Sequence, residues 1–195
     1  MNYKCVLMLL LYILQACHSS RFMPDSIKIA SKLNDEMKIH WEDYFHVSRA
    51  TKRYIIIAAP GMENLAEKIQ KEFPSRFLYL RDTKWKKFSD GTDNIDIDGF
   101  HPVNLISGQN VLFLCSFHNN DVTLSQFSVM ITLLQSFIDS LTIVLPFYPV
   151  GTMERIVKEG QVATANTYAQ MFSNLPSCGK PTRLVVYDLH TLQNR

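Results

Sequence analysis

The chain has 195 residues, 47% hydrophobic and 19% charged, with 7 Gly and 8 Pro. That leaves room for one ordinary domain plus a tail, and it excludes extended disorder, collagen-like sequence and coiled coil. A net charge of +2 provides no strong electrostatic footprint for nucleic acid, so no nucleic-acid partner is expected. Cys5, Cys17, Cys115 and Cys178 lie far apart and form neither a CxxC pair nor a disulfide framework.

The first twenty residues differ from the rest. Lys4 precedes an uncharged run from Cys5 to Cys17, followed by His18-Ser19-Ser20. A positive start, a short apolar run and small residues describe a secretory-type leader, expected over residues 1–20. The run falls short of the ~20 apolar residues a spanning helix needs. A membrane-held anchor and a misplaced start codon are the alternatives. Residues 21–53 read as a connector or packing arm, in which Trp41, Tyr44, Phe45 and Val47 can share one amphipathic helical face. A partner-binding helix is the alternative there.

From Tyr54 the pattern becomes regular. Tyr54–Ala59 reads as a short buried strand closed by the turn signal Pro60-Gly61. Met62–Phe73 has Leu65, Ala66, Ile69 and Phe73 at helical spacing, and Phe77–Leu80 reads as the next strand. Asp90-Gly91 marks a tight turn, and Asn94–Asp98 alternates as a half-exposed strand does. Val111–Cys115 is a buried strand. Thr123–Ile138 is a helix with Leu124, Phe127, Met130, Ile131, Leu134 and Phe137 facing inward. Leu141–Leu145 returns to the sheet and is expected to stop at Pro146. Gly160–Asn174 is one more helix, and Arg183–Tyr187 one more buried strand. Apolar strands alternating with helices predict an α/β fold: a three-layer, mainly parallel sheet with helices on both faces. Ligands are then expected at the carboxyl ends of the strands.

Three segments could carry chemistry. In Lys87–Asp93, Asp90-Gly91 closes a hairpin and Phe88 presents an aromatic face, on which a base can stack while a carboxylate accepts from its amino group. The plain alternative is a hairpin with a packed Phe. In Pro146–Arg155, a loop leaving a strand end offers free backbone N–H groups, and Arg155 could make a bidentate contact to phosphate. Alternatively, Glu154 with Lys158 and Arg155 with Glu159 are i, i+4 pairs that merely solvate a helix. In Tyr187–Gln193, a continuing strand puts Asp188 and His190 on one face, where they could hold a divalent cation. An Asp and His joined only by a hydrogen bond is the alternative.

Together these segments resemble, in order and spacing, the amino-terminal half of the phosphoribosyl pyrophosphate synthetases (ribose-phosphate pyrophosphokinases). The resemblance runs from about Tyr54 to Arg195. Phe88-Ser-Asp-Gly91 is similar to the family's adenine-contacting hairpin, which reaches into a neighbouring subunit's site. Val144–Tyr148 is similar to the strand and aromatic turn before its ATP loop. Asp188-Leu-His-Thr-Leu-Gln193 is similar to the start of its metal-binding signature, the most specific of the three, and Gly160–Ala165 also matches.

The resemblance implies a phosphoribosyltransferase-like amino-terminal domain over residues 54–195, with ATP bound by Phe88, Asp90 and Arg155. It implies magnesium (Mg2+) on Asp188 and His190, and ribose 5-phosphate as acceptor only where a carboxyl-terminal half is present. The implied activity is transfer of a pyrophosphoryl group from Mg–ATP to ribose 5-phosphate, with no catalytic residue assigned within this chain. Thr92 stands where many family members have Glu, and Thr152-Met-Glu-Arg155 where their ATP loop reads Arg-Gln-Asp-Arg, as in the divergent plant-type branch. The basic flexible loop and the Asp-Asp…Thr-Gly-Gly-Thr loop of the family's second half do not occur in these residues. The expectation is a truncated domain, inactive in isolation, which forms homo-oligomers or joins full-length synthetase subunits as a regulatory partner. Family resemblance implies a cytoplasmic or organellar location, against the secretory-type leader.

Overall fold

The structure, a computed structural model, describes residues 54–102, 104–148 and 156–189. The expected leader and connector, Arg155 and His190 lie outside the described residues.

Tyr54–Ala58 (β1) is buried along its whole length. Its alternate side chains enter two different cores: Ile55 and Ile57 one, Tyr54, Ile56 and Ala58 the other. A strand buried on both faces belongs in the interior of a parallel sheet. It pairs in parallel with Phe77–Tyr79 (β2) on one side and Asn110–Leu114 (β5) on the other. Ser140–Tyr148 (β6) and Arg183–Leu189 (β7) extend the sheet, whose order is β2-β1-β5-β6-β7 with every pairing parallel. Lys84–Lys87 (β3) and Asp93–Asp96 (β4) stand apart as a two-stranded antiparallel hairpin.

Glu63–Glu72 (α1) follows β1 after the Pro60-Gly61 turn, where the Met62 N–H reaches the Ala59 carbonyl at 2.9 Å. Ala66 and Ile69 bury against Ile56, Phe77 and Tyr79 on one face of the sheet. Asn120–Leu134 (α2) and Thr164–Ser173 (α3) cover the other face, where Phe117, Phe127, Tyr168 and Phe172 make an aromatic cluster between them. The α/β fold with helices on both faces is therefore as expected.

Four local expectations change. Helix α2 begins three residues before Thr123, because the Asn119 side chain accepts from the Val122 N–H at 2.8 Å and caps it. Its inward face is also rotated. Phe127, Met130 and Leu134 are buried as expected, but Leu124 is 62% exposed and Ile131 40%; Phe137, 84% exposed, lies past the helix, which ends at Leu134 rather than Ile138. Their inward places go to Thr123, Gln126 and Leu133. Apolar residues cover more of the helix circumference than one buried face needs, so the pattern could not fix its rotation; hydrogen bonds from Thr123 and Gln126 make those polar positions tolerable inside.

Strand β6 does not stop at Pro146. Its pairing with β5 ends at Val144, and the ladder with β7 continues to Tyr148, so the proline falls where one side of the strand no longer has a neighbour. Strand β7 is not buried either: it forms the sheet edge, with Leu184, Tyr187 and Leu189 each well exposed. No helix of the described residues is long and apolar enough to cross a membrane.

Candidate functional site

The hairpin β3–β4 is mostly exposed yet firmly placed. Trp85 and Ile95, opposite each other in register, turn toward the main core. The Trp85 ring stacks on buried Phe113 with centroids 6.3 Å apart, and its Nε1–H donates to the Ala58 carbonyl at 3.0 Å. Two further bonds tie the hairpin to the first turns of α2: the Lys87 ammonium pairs with Asp121, and the Ser125 hydroxyl donates to Asp93 Oδ1 at 2.8 Å. A shallow cleft of about 90 Å³ remains at this junction, lined by Pro60, Trp85, Lys87, Asp93, Val122 and Ser125.

Beyond that anchorage the tip is self-supporting. The Phe88 N–H donates to the Thr92 carbonyl at 2.9 Å, and the Gly91 N–H to the Phe88 carbonyl at 3.0 Å. Gly91 takes φ +86°, a left-handed conformation that L side chains rarely adopt. Asp90 Oδ1 accepts from the Thr92 N–H at 2.9 Å and from the Thr92 hydroxyl at 2.6 Å. The hydroxyl first and the N–H second hold the Asp90 carboxyl below the usual aspartate range, so it is ionised at neutral pH. Phe88 is 55% exposed. The alternative of a packed Phe thus fails: the inward aromatic of this hairpin is Trp85, and Phe88 is held in solvent.

The second group lies at the far side of the sheet. Strand β7 does continue through Asp188, in register with Phe147 of β6, and Asp188 is exposed. An exposed carboxylate at a parallel strand end is a hard oxygen donor of the type Mg2+ takes. His190 lies outside the described residues, and among the described residues no group of three or more His, Cys, Asp or Glu side chains gathers. Tyr148, at the end of β6, donates to the Ala165 carbonyl at 2.8 Å and so fastens this strand end to α3. Arg155 is likewise outside the described residues. Lys158 and Glu159 lie outside any helix, and Glu154 and Arg155, with which they were expected to pair, lie outside the described residues. The structure therefore places Phe88 and Asp90 together at the tip of a hairpin whose base docks on β1 and β5 through Trp85, and Asp188 on β7.

Sequence reading missed a third feature. After β5, the Ser116 hydroxyl lies 2.9 Å from His118 Nδ1. The turn is clamped by fully buried Gln126, which accepts from the Ser116 N–H at 2.9 Å and donates to its carbonyl at 2.8 Å. A lone Gln in an apolar helix was the available signal. Cys115 next to it is buried, which pushes its thiol well up and makes it an inert core residue.

A wholly parallel main sheet with loops gathered at its strand ends defines an α/β domain of the class that binds ligands there. The sequence profile of the N-terminal domain of ribose phosphate pyrophosphokinase matches residues 54–175. Chloroplastic ribose-phosphate pyrophosphokinase 3 of Arabidopsis thaliana is 43% identical over 149 residues, 76% of this chain and 35% of that protein. Ribose-phosphate pyrophosphokinase 4 of the same plant is 44% identical over 134 residues, 68% of this chain and 38% of that protein. The mitochondrial ribose-phosphate pyrophosphokinase 3 of Spinacia oleracea is 35% identical over 176 residues, 90% of this chain and 40% of that protein. The crystal structure of phosphoribosylpyrophosphate synthetase from Mycobacterium smegmatis shares the fold, with TM-score 0.57 and 21% identity over 73% of this chain and 45% of that one. The chain belongs to the ribose-phosphate pyrophosphokinase family. It spans well under half the length of these curated relatives.

Proposed function

We propose that these residues are the nucleotide-binding part of a ribose-phosphate pyrophosphokinase, which moves a pyrophosphoryl group from Mg–ATP to ribose 5-phosphate. The observation that carries this is Phe88: an aromatic ring held 55% exposed on a tip closed by its own hydrogen bonds, above a hairpin base docked on the sheet. Solvent exposure of such a ring is unfavourable unless a flat apolar surface covers it, and an adenine base is such a surface. Asp90, ionised and adjacent, accepts from the base's amino group, and Arg155 contacts the phosphates. Asp188 with His190 would hold Mg2+ on the nucleotide, where the ion neutralises phosphate charge. Positioning of ribose 5-phosphate belongs to the family's second half, so the role assigned to the residues here is nucleotide binding.

Calorimetric titration with Mg–ATP tests this reading. Phe88→Ala should weaken binding by roughly 5- to 150-fold, the value of one base stacked on an aromatic ring. Undiminished affinity rejects the adenine role. Asp188→Asn and His190→Ala should each weaken the nucleotide only when magnesium is present; equal loss with and without the metal removes the metal assignment.

A second observation supports assembly with other synthetase subunits, either copies of this chain or full-length ones. Beyond Asp121 in its first turn, the outer face of α2 presents Leu124, Ser128, Ile131, Thr132 and Gln135, with Phe137 following the helix: a stretch without charge that carries three exposed large apolar side chains. Sedimentation with and without Leu124→Glu checks it, the variant being expected to dissociate the assembly. The relatives' chloroplastic and mitochondrial names support an organellar location.

A further inference from the structure

The tip of the hairpin contains a detail that the adenine reading does not require. An aspartate in a solvent-exposed turn ordinarily samples several side-chain rotamers, and either carboxylate oxygen can meet a ligand. Here one oxygen is taken. Asp90 Oδ1 receives both the backbone N–H and the hydroxyl of Thr92, at 2.9 and 2.6 Å. Thr92 is itself fixed, because its carbonyl accepts the Phe88 N–H at 2.9 Å across the mouth of the same turn. The carboxylate is thus tied, through one residue, to the backbone that carries the exposed aromatic ring. The hydroxyl also favours the ionised form, and an ionised carboxylate can only accept.

We propose that Thr92 is a positioning residue for nucleotide selectivity: it fixes the Asp90 carboxylate relative to the Phe88 ring, leaving Oδ2 to accept from the 6-amino group of a stacked purine. The inference rests on the assignment of the hairpin as the base-contacting element. It adds that the selectivity resides in a Thr–Asp couple rather than in Asp90 alone. A 6-aminopurine donates at the position where this acceptor waits, whereas a purine without the amino group offers nothing there and leaves the carboxylate with water. The backbone N–H of residue 92 persists whatever the side chain, so removal of the hydroxyl alone loosens the carboxylate without opening the turn.

The test compares two probes, Mg–ATP and the Mg complex of purine riboside triphosphate, which differ only in the 6-amino group. Affinities for both are measured on the full chain for wild type, Thr92→Val, Thr92→Ser, Asp90→Ala and Phe88→Ala. Wild type should favour ATP. Thr92→Val should lower that preference by roughly 3- to 10-fold, part of one charge-assisted hydrogen bond, and Thr92→Ser should restore it. A merely structural role would weaken both probes equally and leave the ratio unchanged. In parallel, the Asp90 side-chain carboxyl carbon is followed by NMR against pH; its midpoint should rise in Thr92→Val and stay low in Thr92→Ser. An unchanged preference in Thr92→Val overturns the proposal. If Phe88→Ala weakens both probes but Asp90→Ala leaves the preference intact, the hairpin still binds the base and the Thr–Asp couple is refuted. Should Phe88→Ala change neither affinity, the base-contacting assignment falls, and this inference with it.

Discussion

The hairpin β3–β4 and the central strands β1, β5 and β6 are held in place by different means. The central strands are buried on both faces and flanked by neighbours on both sides, β6 as far as Val144, so most of their residues are secured many times over. The hairpin shares no backbone ladder with the main sheet. Its position rests on the Trp85 ring and indole N–H, with the Lys87–Asp121 and Asp93–Ser125 contacts to α2. The exposed Lys87–Asp121 ion pair contributes little by itself, so Trp85, with the part-buried Ser125–Asp93 hydrogen bond, is the main anchor. The lesson is a division of labour: burial is concentrated in the strands, and the exposed groups of the hairpin sit on an appendage with no ladder to them.

The sharpest break in that comparison is Phe113→Ala. Phe113 is fully buried in the central sheet and also lies under the Trp85 ring, so it serves both regions. Urea unfolding should show a loss of about 3–5 kcal/mol; a loss below ~1 kcal/mol would mean that the sheet core is not the seat of stability. Trp85→Phe keeps a ring on Phe113 but deletes the donor to the Ala58 carbonyl. Its cost should be near 1 kcal/mol, and hydrogen exchange should accelerate in residues 84–96 and not in β5. Uniform acceleration would show that the hairpin and sheet open as one unit.

The smallest effect concerns pH. Thr92 holds the folded Asp90 carboxyl below its ordinary value, so folding favours the ionised form. The turn's contribution is present above the usual aspartate range and is lost only as pH falls through the lower, folded value. The Thr92 amide-proton shift should therefore stay constant while ordinary aspartates protonate and move only at lower pH. A midpoint at the ordinary aspartate value would contradict the two hydrogen bonds.

Much of this was legible along the chain because it depends on short-range pattern. Tyr54–Ala58 is five residues with scarcely a polar atom, and Pro60-Gly61 admits little besides a turn, so strand and stop could be read directly. The hairpin turn was equally plain in Asp90-Gly91, since only a glycine accepts φ +86° cheaply. Strand β3 was not legible: Lys84-Trp-Lys-Lys87 carries three charges in four residues, and only Trp85 finding Phe113 and Ala58 makes it a strand. The rotation of α2 was hidden for the opposite reason, an excess of apolar positions.

By itself, then, the sequence determined the alternation of strands and helices, the place of the hairpin and the family signature, all of which reside in neighbours along the chain. The tertiary structure alone decided which aromatic of the hairpin packs against the core and which stays exposed, Trp85 or Phe88. It also decided that Gln126 goes inside while Leu124 stays out, that β7 is an edge, and that Thr92 rather than solvent holds Asp90. These outcomes depend on the depth of a pocket, the reach of an amide and the geometry of a closed turn, quantities that exist only once distant segments have met.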